Sequence, residues 1–349
     1  MATTLETPMF EKPTVKPSRW KRGISNLAYR PEFSVLIGFL AIYMFFLLTT
    51  QPVFHSLAGT STWVDPAAEL GIVAIPVGFL MIAGEFDLSV GSVLAFSSMF
   101  LAAWVGYFHY NIWLGLVLAF ILSALVGLIN GILVTRTRLP SFIVTLGTQL
   151  VLTGVTLGGS TLITGSSSID MTATAPVRAL FSSNWNQFNV SILWLAAIAI
   201  LGHHILTNTR MGNWITAIGG DIETANRAGV LTSRVRIGLF VTTSLAAALV
   251  GVIQAVEYNG SAASNGQVYV FNAIIAVVIG GILLTGGFGT IIGAVLGAMT
   301  YQLVTQGIYF TGWDTDWSNA LIGGLLLVAV VSNNWFRKAA VARGVKKGS

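Results

Sequence analysis

Two long stretches of this chain, 88–135 and 258–313, contain no Asp, Glu, Lys or Arg. A water-soluble fold cannot run so far without placing charge on its surface. A bilayer asks the opposite: apolar outer faces, and segments that satisfy their own backbone hydrogen bonds. Hydrophobic residues make up 54% of the 349 residues and charged residues 9%, where a soluble domain carries about 25% charge. These features set aside a soluble protein with a large core. They predict an all-α fold, a polytopic membrane helical bundle in contact with lipid.

A span needs roughly 20 apolar residues. On that rule the chain divides into about ten: 33–50, 68–84, 90–107, 112–134, 141–157, 190–206, 237–256, 272–285, 290–309 and 318–335. The eighth is short enough to read as a re-entrant or broken helix. Residues 1–32 form a polar tail without a convincing cleavage site, 33–335 the transmembrane domain, and 336–349 a basic tail. Placing both termini in the cytoplasm puts Arg136 and Arg138, the loop with Arg210, Arg227, Arg234 and Arg236, and the basic C-terminal residues inside. Asp65, Glu69, Asp170 with Arg178, Glu257, Asp314 and Asp316 then fall outside. That is a positive-inside pattern, and it accounts for the net charge of +5 without nucleic acid.

The 38 glycines fit a membrane bundle, where small residues let backbones approach. Gly289, Gly293 and Gly297 form two overlapping GxxxG steps, with Gly127/Gly131 and Gly154/Gly158 as further pairs. All are expected at helix contacts. Gly84-Glu-Phe-Asp-Leu-Ser-Val-Gly-Ser-Val-Leu can also be laid on Gly286-Gly-Phe-Gly-Thr-Ile-Ile-Gly-Ala-Val-Leu, a local internal likeness of the kind transporters show.

Most enzyme chemistry lacks its residues. There is no G-x-x-x-x-G-K-[ST], so no P-loop ATPase. His55, His109, His203 and His204 have no zinc-ligand spacing, Cys is absent, and no nucleophile motif appears. No cofactor or metal is expected. Nor does a series of buried acids or histidines cross several spans, as in many proton-coupled carriers.

Two places keep charge. Glu85 and Asp87 lie between two apolar spans, flanked by Gly84 and Gly91. Asp87 can cap the next helix by accepting from Ser89 or Val90, and the pair reads either as a simple junction or as a gate or cavity element with Ser89. In the loop 209–229, Asp221 can cap a short helix over 222–228 that Gly229 stops. That helix would present Ala225 and Ala228 beside Glu223 and Arg227, either to a partner's groove or as a plain connector. Asn130, Thr145, Thr148, Gln149, Gln254, Asn272 and Gln302 lie within spans, and serve either solute hydroxyls or interhelical hydrogen bonds.

In order along the chain, four segments resemble the permease subunits of ribose- and xylose-type ABC importers: the Gly84 motif; Asn130-Gly with Leu139-Pro-Ser-Phe-Ile-Val-Thr-Leu-Gly-Thr148; the stretch from Gly212 to Gly229, including Gly219 and Gly220; and Gly280-Gly-Ile-Leu-Leu-Thr-Gly-Gly-Phe-Gly. The likeness runs over about 68–335. It implies two copies of the chain around one pathway, a separate ABC ATPase docked on 219–229, and a periplasmic solute-binding protein delivering a sugar-like solute. Glu85, Asp87, Ser89, Asn130, Thr145, Thr148 and Gln149 would then line or gate the pathway. The chain departs from the family's usual Gly-Gly-Ile-Asp at Glu85 and Phe86, and carries Asp221 where Asn is common. A nucleoside or a branched-chain amino acid is the alternative cargo, and an ion-coupled secondary carrier the alternative mechanism.

Overall fold

The computed structural model describes residues 31–347. The predicted tail 1–32 therefore lies outside the described residues except at its last two positions. The chain runs α1 (Pro31–Thr49), a 3-10 turn (Pro52–His55), α2 (Leu57–Ile82), α3 (Val90–Ala102, continued by a π turn over Ala103–Tyr107), α4 (Ile112–Thr137), α5 (Ser141–Thr164), β1 (Ser168–Asp170), α6 (Ala175–Phe181), β2 (Asn184–Trp185), β3 (Phe188–Asn189), α7 (Ser191–Asn208), α8 (Arg210–Gly220), α9 (Ile222–Arg227), α10 (Thr232–Glu257), β4 (Gly260–Ala262), α11 (Tyr269–Ile279), α12 (Ile291–Thr311) and α13 (Trp317–Lys347).

Among the described residues, eight helices are long and apolar enough to cross a membrane, and two shorter apolar helices, Tyr269–Ile279 and Trp317–Ser332, supplement them. The chain is a polytopic helical membrane protein. Exposed Tyr110, Trp113, Trp185, Tyr309, Trp313 and Trp317 lie on the connections and helix ends opposite the arginine loops. Aromatic side chains collect at such membrane–water boundaries.

Two helices form the centre. The apolar window of α2 is 89% buried and that of α10 83%, against 11% for α5 and α7. Small residues allow this. Gly71 of α2 lies against Leu195 of α7, and Gly251 of α10 sits on the α3 backbone at Leu94. Gly127 and Gly131 of α4 meet the α10 backbone at Phe240 and Ile237, while Gly293 and Gly297 of α12 meet the backbone at Gly280 and Ala276 and Gly289 meets Ile282. Gly154 and Gly158 behave differently: a Cβ at either would touch nothing within 4 Å, because their face of α5 points away from the chain.

The α2 boundary corrects the sequence reading. The helix begins at Leu57, eleven residues before the predicted start, and carries Pro66 and Pro76 in its interior. Asp65 and Glu69 are therefore helical rather than in an outer loop. Glu69 is 5% exposed and accepts from Gln254 Nε2 (2.7 Å) and Tyr269 OH (3.1 Å). A carboxylate inside a span is tolerated where protein supplies its partners.

The predicted short eighth span is a half-helix. The 11 residues of α11 cover about 16 Å, roughly half a hydrocarbon core. The chain before it packs on α3 at two points, where the Ser261 hydroxyl of β4 meets that of Ser98 at 2.7 Å and Gly266 faces Gly91, while Ser264, Gln267 and Val268 are exposed. Non-helical backbone survives at such depth when protein covers it. On the outer side β4 pairs antiparallel with β1, Ser168 opposite Ala262 and Asp170 opposite Gly260.

The internal likeness has a structural counterpart. Gly84 (φ 82°) precedes α3, and Gly286 (φ 77°) precedes α12. The two left-handed glycines approach each other, a Cβ on Gly286 falling 3.0 Å from the Gly84 Cα.

Candidate functional site: a buried polar network above the 209–229 loop

After Ile82 the chain leaves the helix at Gly84 and resumes it at Val90. The freed turn is held by side chains from three other helices. Asp87 Oδ1 accepts from the Ser89 amide (2.9 Å) and hydroxyl (2.6 Å), and Oδ2 accepts from the Thr243 hydroxyl of α10 (2.7 Å). Asn130 of α4 donates from Nδ2 to Ser89 Oγ (2.9 Å) and accepts at Oδ1 from the Thr148 hydroxyl of α5 (2.6 Å). Thr145 Oγ1 accepts from the Leu88 amide (3.1 Å), and Ser141 Oγ from the Phe86 amide (3.0 Å). Asp87 is 2% exposed, and Ser89, Asn130 and Thr145 are fully buried. A buried carboxylate is stable only with such charge-assisted donors.

The network joins five of the residues singled out from sequence, and Glu85 lies beside it in a separate ion pair. Glu85 Oε1 pairs with Arg236 Nη2 of α10, both side chains largely buried. Gln149 is half-buried and takes no part among the described hydrogen bonds. Thr243, Ser141 and Arg236 were missed. Arg236 had been assigned to topology, and nothing local marks Thr243, which follows Asp87 by 156 positions. Elsewhere the polar residues within spans also bridge helices: Gln254 to Glu69, and Asn272 to Tyr301 (2.7 Å).

The loop beneath is built as its sequence suggests, with one correction. Asp221 caps α9, accepting from the Thr224 amide at 2.6 Å. Hydrogen bonds from the side chain and amide of Thr224 hold its carboxyl below the usual range. Gly229 (φ 84°) ends the segment. Ala225, expected to face a partner, is 3% exposed and packs inward; its burial anchors the short helix. Glu223 and Arg227 form an exposed pair at 3.8 Å, and these, with Thr224 and Ala228, are the outward face. Gly219 is also internal. A Cβ there would collide with the Ile82 carbonyl, whose oxygen accepts from the Gly287 amide at 2.8 Å, whereas one on Gly220 would meet nothing.

A cavity of about 290 Å³ opens between α3 and α5 at their outer halves, where Phe96, Phe100, Trp104 and Phe108 face Gly159 and Ile163. Among the described residues no group of three or more His, Cys, Asp or Glu is placed to hold a metal ion.

Comparison with known proteins agrees with this architecture. The family described as "Branched-chain amino acid transport system / permease component" matches residues 59–330. The chain belongs to this permease family. It is 31% identical over 284 residues to the fructose import permease protein FrcC of Rhizobium meliloti (79% of this chain, 78% of the relative). It is 30% identical over 304 residues to the inner membrane ABC transporter permease protein YjfF of Escherichia coli K12 (85% and 90%). The ribose import permease protein RbsC of the same organism is 28% identical over 311 residues (88% and 95%). No solved structure matches. The chain is thus an inner-membrane ABC permease subunit, a transport component rather than an enzyme, and the family implies an ATPase and a binding protein as its partners.

Proposed function

We propose that this permease imports a monosaccharide of the pentose type or similar, delivered by a periplasmic solute-binding protein and driven by a separate ATPase. The reading is carried by the likeness to permeases named for fructose and ribose, which extends over most of both chains. Two copies form the pathway. The open face of α5 supports this, since Gly147, Gly154 and Gly158 meet nothing within 4 Å in their own chain and allow a close helix contact.

In this reading α9 docks the ATPase through Glu223 and Arg227, with Asp221 and Gly229 fixing its ends, Gly219 and Ala225 seating it, and Gly220 on the open side of the loop. Asp87, Ser89, Asn130 and Thr145 are closed off from solvent, Thr148 is half-buried, and all five are hydrogen-bonded. They act as the gate's hinge, and Gln149 lies nearer the pathway wall. The test is uptake by proteoliposomes containing this chain, its ATPase and its binding protein. ATP-dependent uptake of ribose, xylose or fructose is expected. Uptake of leucine or a nucleoside but no sugar would reassign the cargo, and uptake driven by a proton or sodium gradient without the ATPase would overturn the importer reading.

A further inference from the structure

We propose that the Glu85–Arg236 ion pair is a coupling latch, which passes movement of the docking loop to the buried polar network, so that its loss separates ATP hydrolysis from solute passage. The proposal rests on the importer reading above.

The docking loop is fixed to α10. The Thr232 hydroxyl donates to Asn226 Oδ1 (2.6 Å), the Gly229 amide to the Asn226 carbonyl (3.0 Å), and the Val230 amide to the Ala225 carbonyl (3.1 Å). With Ala225 buried, α9 and the first turns of α10 move as one body. Arg236 lies one helical turn beyond Thr232, on the same face.

Across from it, Glu85 sits in the non-helical turn between α2 and α3. Two residues later Asp87 begins the chain of contacts through Ser89 and Asn130 to Thr148 of α5. The start of the turn is clamped separately, where Gly84, Gly219 and Gly286 meet backbone to backbone. α10 thus grips this turn at two points, Arg236 on Glu85 and, two helical turns further along, Thr243 on Asp87, and the far side of the turn holds the exposed helix α5. Coupling of this kind needs a contiguous physical path, and the Glu85–Arg236 pair is the crossing nearer α9.

The pair is also built to act as a switch rather than a surface decoration. Its side chains are 11% and 14% exposed, against 80% and 84% for Glu223–Arg227. Arg236 Nε is buried without a partner among the described residues, so compensation of the guanidinium falls on Glu85. A buried charge cannot be left unpaired without large penalty. Rupture therefore requires that Arg236 reach water, which movement of α10 toward the cytoplasm provides.

The test uses the complete assembly in proteoliposomes and reads ATP hydrolysis, uptake of labelled ribose, xylose or fructose, and co-purification of the ATPase separately. The variants are Glu85→Gln, Arg236→Gln and the two combined. The double variant leaves no stranded charge and keeps similar side-chain shapes, so it serves where a single variant fails to fold. Normal ATPase binding is expected, with sugar imported per ATP reduced about tenfold, in the double variant as well. Wild-type import per ATP in the double variant would overturn the latch and leave the importer reading intact. Absence of ATP-driven import by the wild-type assembly would instead overturn the importer reading, and the latch with it.

Discussion

Asp87 shows how much one side chain can hold. Its two oxygens accept from three donors on two elements. Asp87→Ala strands those donors in a dry site at about 1–3 kcal/mol each, so the variant should lose several kcal/mol and melt well below wild type in detergent. Asp87→Asn keeps one acceptor and should fall between. A melting temperature unchanged by Asp87→Ala would mean that the network carries no stability. Gly219 and Gly220 make a sharper comparison. Gly219→Ala drives a Cβ into the Ile82 carbonyl and should reduce folded yield severalfold, while Gly220→Ala should match wild type. Equal yields would show that the α2–α8 contact is slack. Asp221 has a pH signature. Its carboxyl is held low by Thr224, so the cap is present above the unfolded carboxylate range and is lost only as pH falls through the lower folded value. ATPase association should therefore be flat from about pH 5 to 8, and Asp221→Asn should preserve it while Asp221→Ala weakens it. The contact of Asp87 with Ser89 was legible because it is local, although Ser89 rather than Asp87 is the residue that caps the helix at Val90. Thr243 was not, since a single hydroxyl in an apolar span looks the same whether it bonds its own helix or one that folds beside it.

At the level of elements, α5 and α9 make opposite demands on a partner. The face of α5 that carries Gly154 is open, whereas Gly297 is pressed against the Ala276 carbonyl. Gly297→Leu should abolish folding of the single chain. Gly154→Leu should leave the chain folded and shift it from dimer to monomer by light scattering in detergent, and an unchanged dimer would place the second copy elsewhere. On α9, Arg227→Glu reverses an exposed charge and should weaken ATPase co-purification without loss of membrane insertion; normal co-purification would reduce the loop to a connector. Most spans were legible to within a few residues because hydropathy reports removal from water, whether the residues meet lipid or, as in α2 and α10, other helices. The start of α2 was not. Its first four turns carry Asp65, Pro66 and Glu69, which a hydropathy window reads as a loop. Glu69 is buried against Gln254 of α10 and Tyr269 of α11, and Asp65 accepts from the Asn189 amide of β3, contacts that only the packed bundle reveals. Likewise GxxxG marks a close contact without saying whether the partner is the same chain, so Gly293 and Gly154 look alike in sequence and differ in structure.

For the whole molecule, the arginine loops predict a cytoplasmic side, and the absence of Cys makes the orientation testable. A single cysteine replacing Trp185, in the outer hairpin, should react with an impermeant maleimide in spheroplasts, and one replacing Arg227 only after the membrane is opened. The reverse pattern would invert the topology. The long reach of the polar contacts also bears on how the chain is made. Thr243 emerges 156 residues after Asp87, which at about 5–20 residues per second is a delay of roughly 8–30 s. Throughout that interval the newborn segments around Glu85 and Asp87 must wait beside the insertion machinery, or at the membrane surface, with their acids still hydrated. The arrival of α10, bringing Arg236 and Thr243 together, is the event that lets the amino-terminal half settle into the bilayer for good.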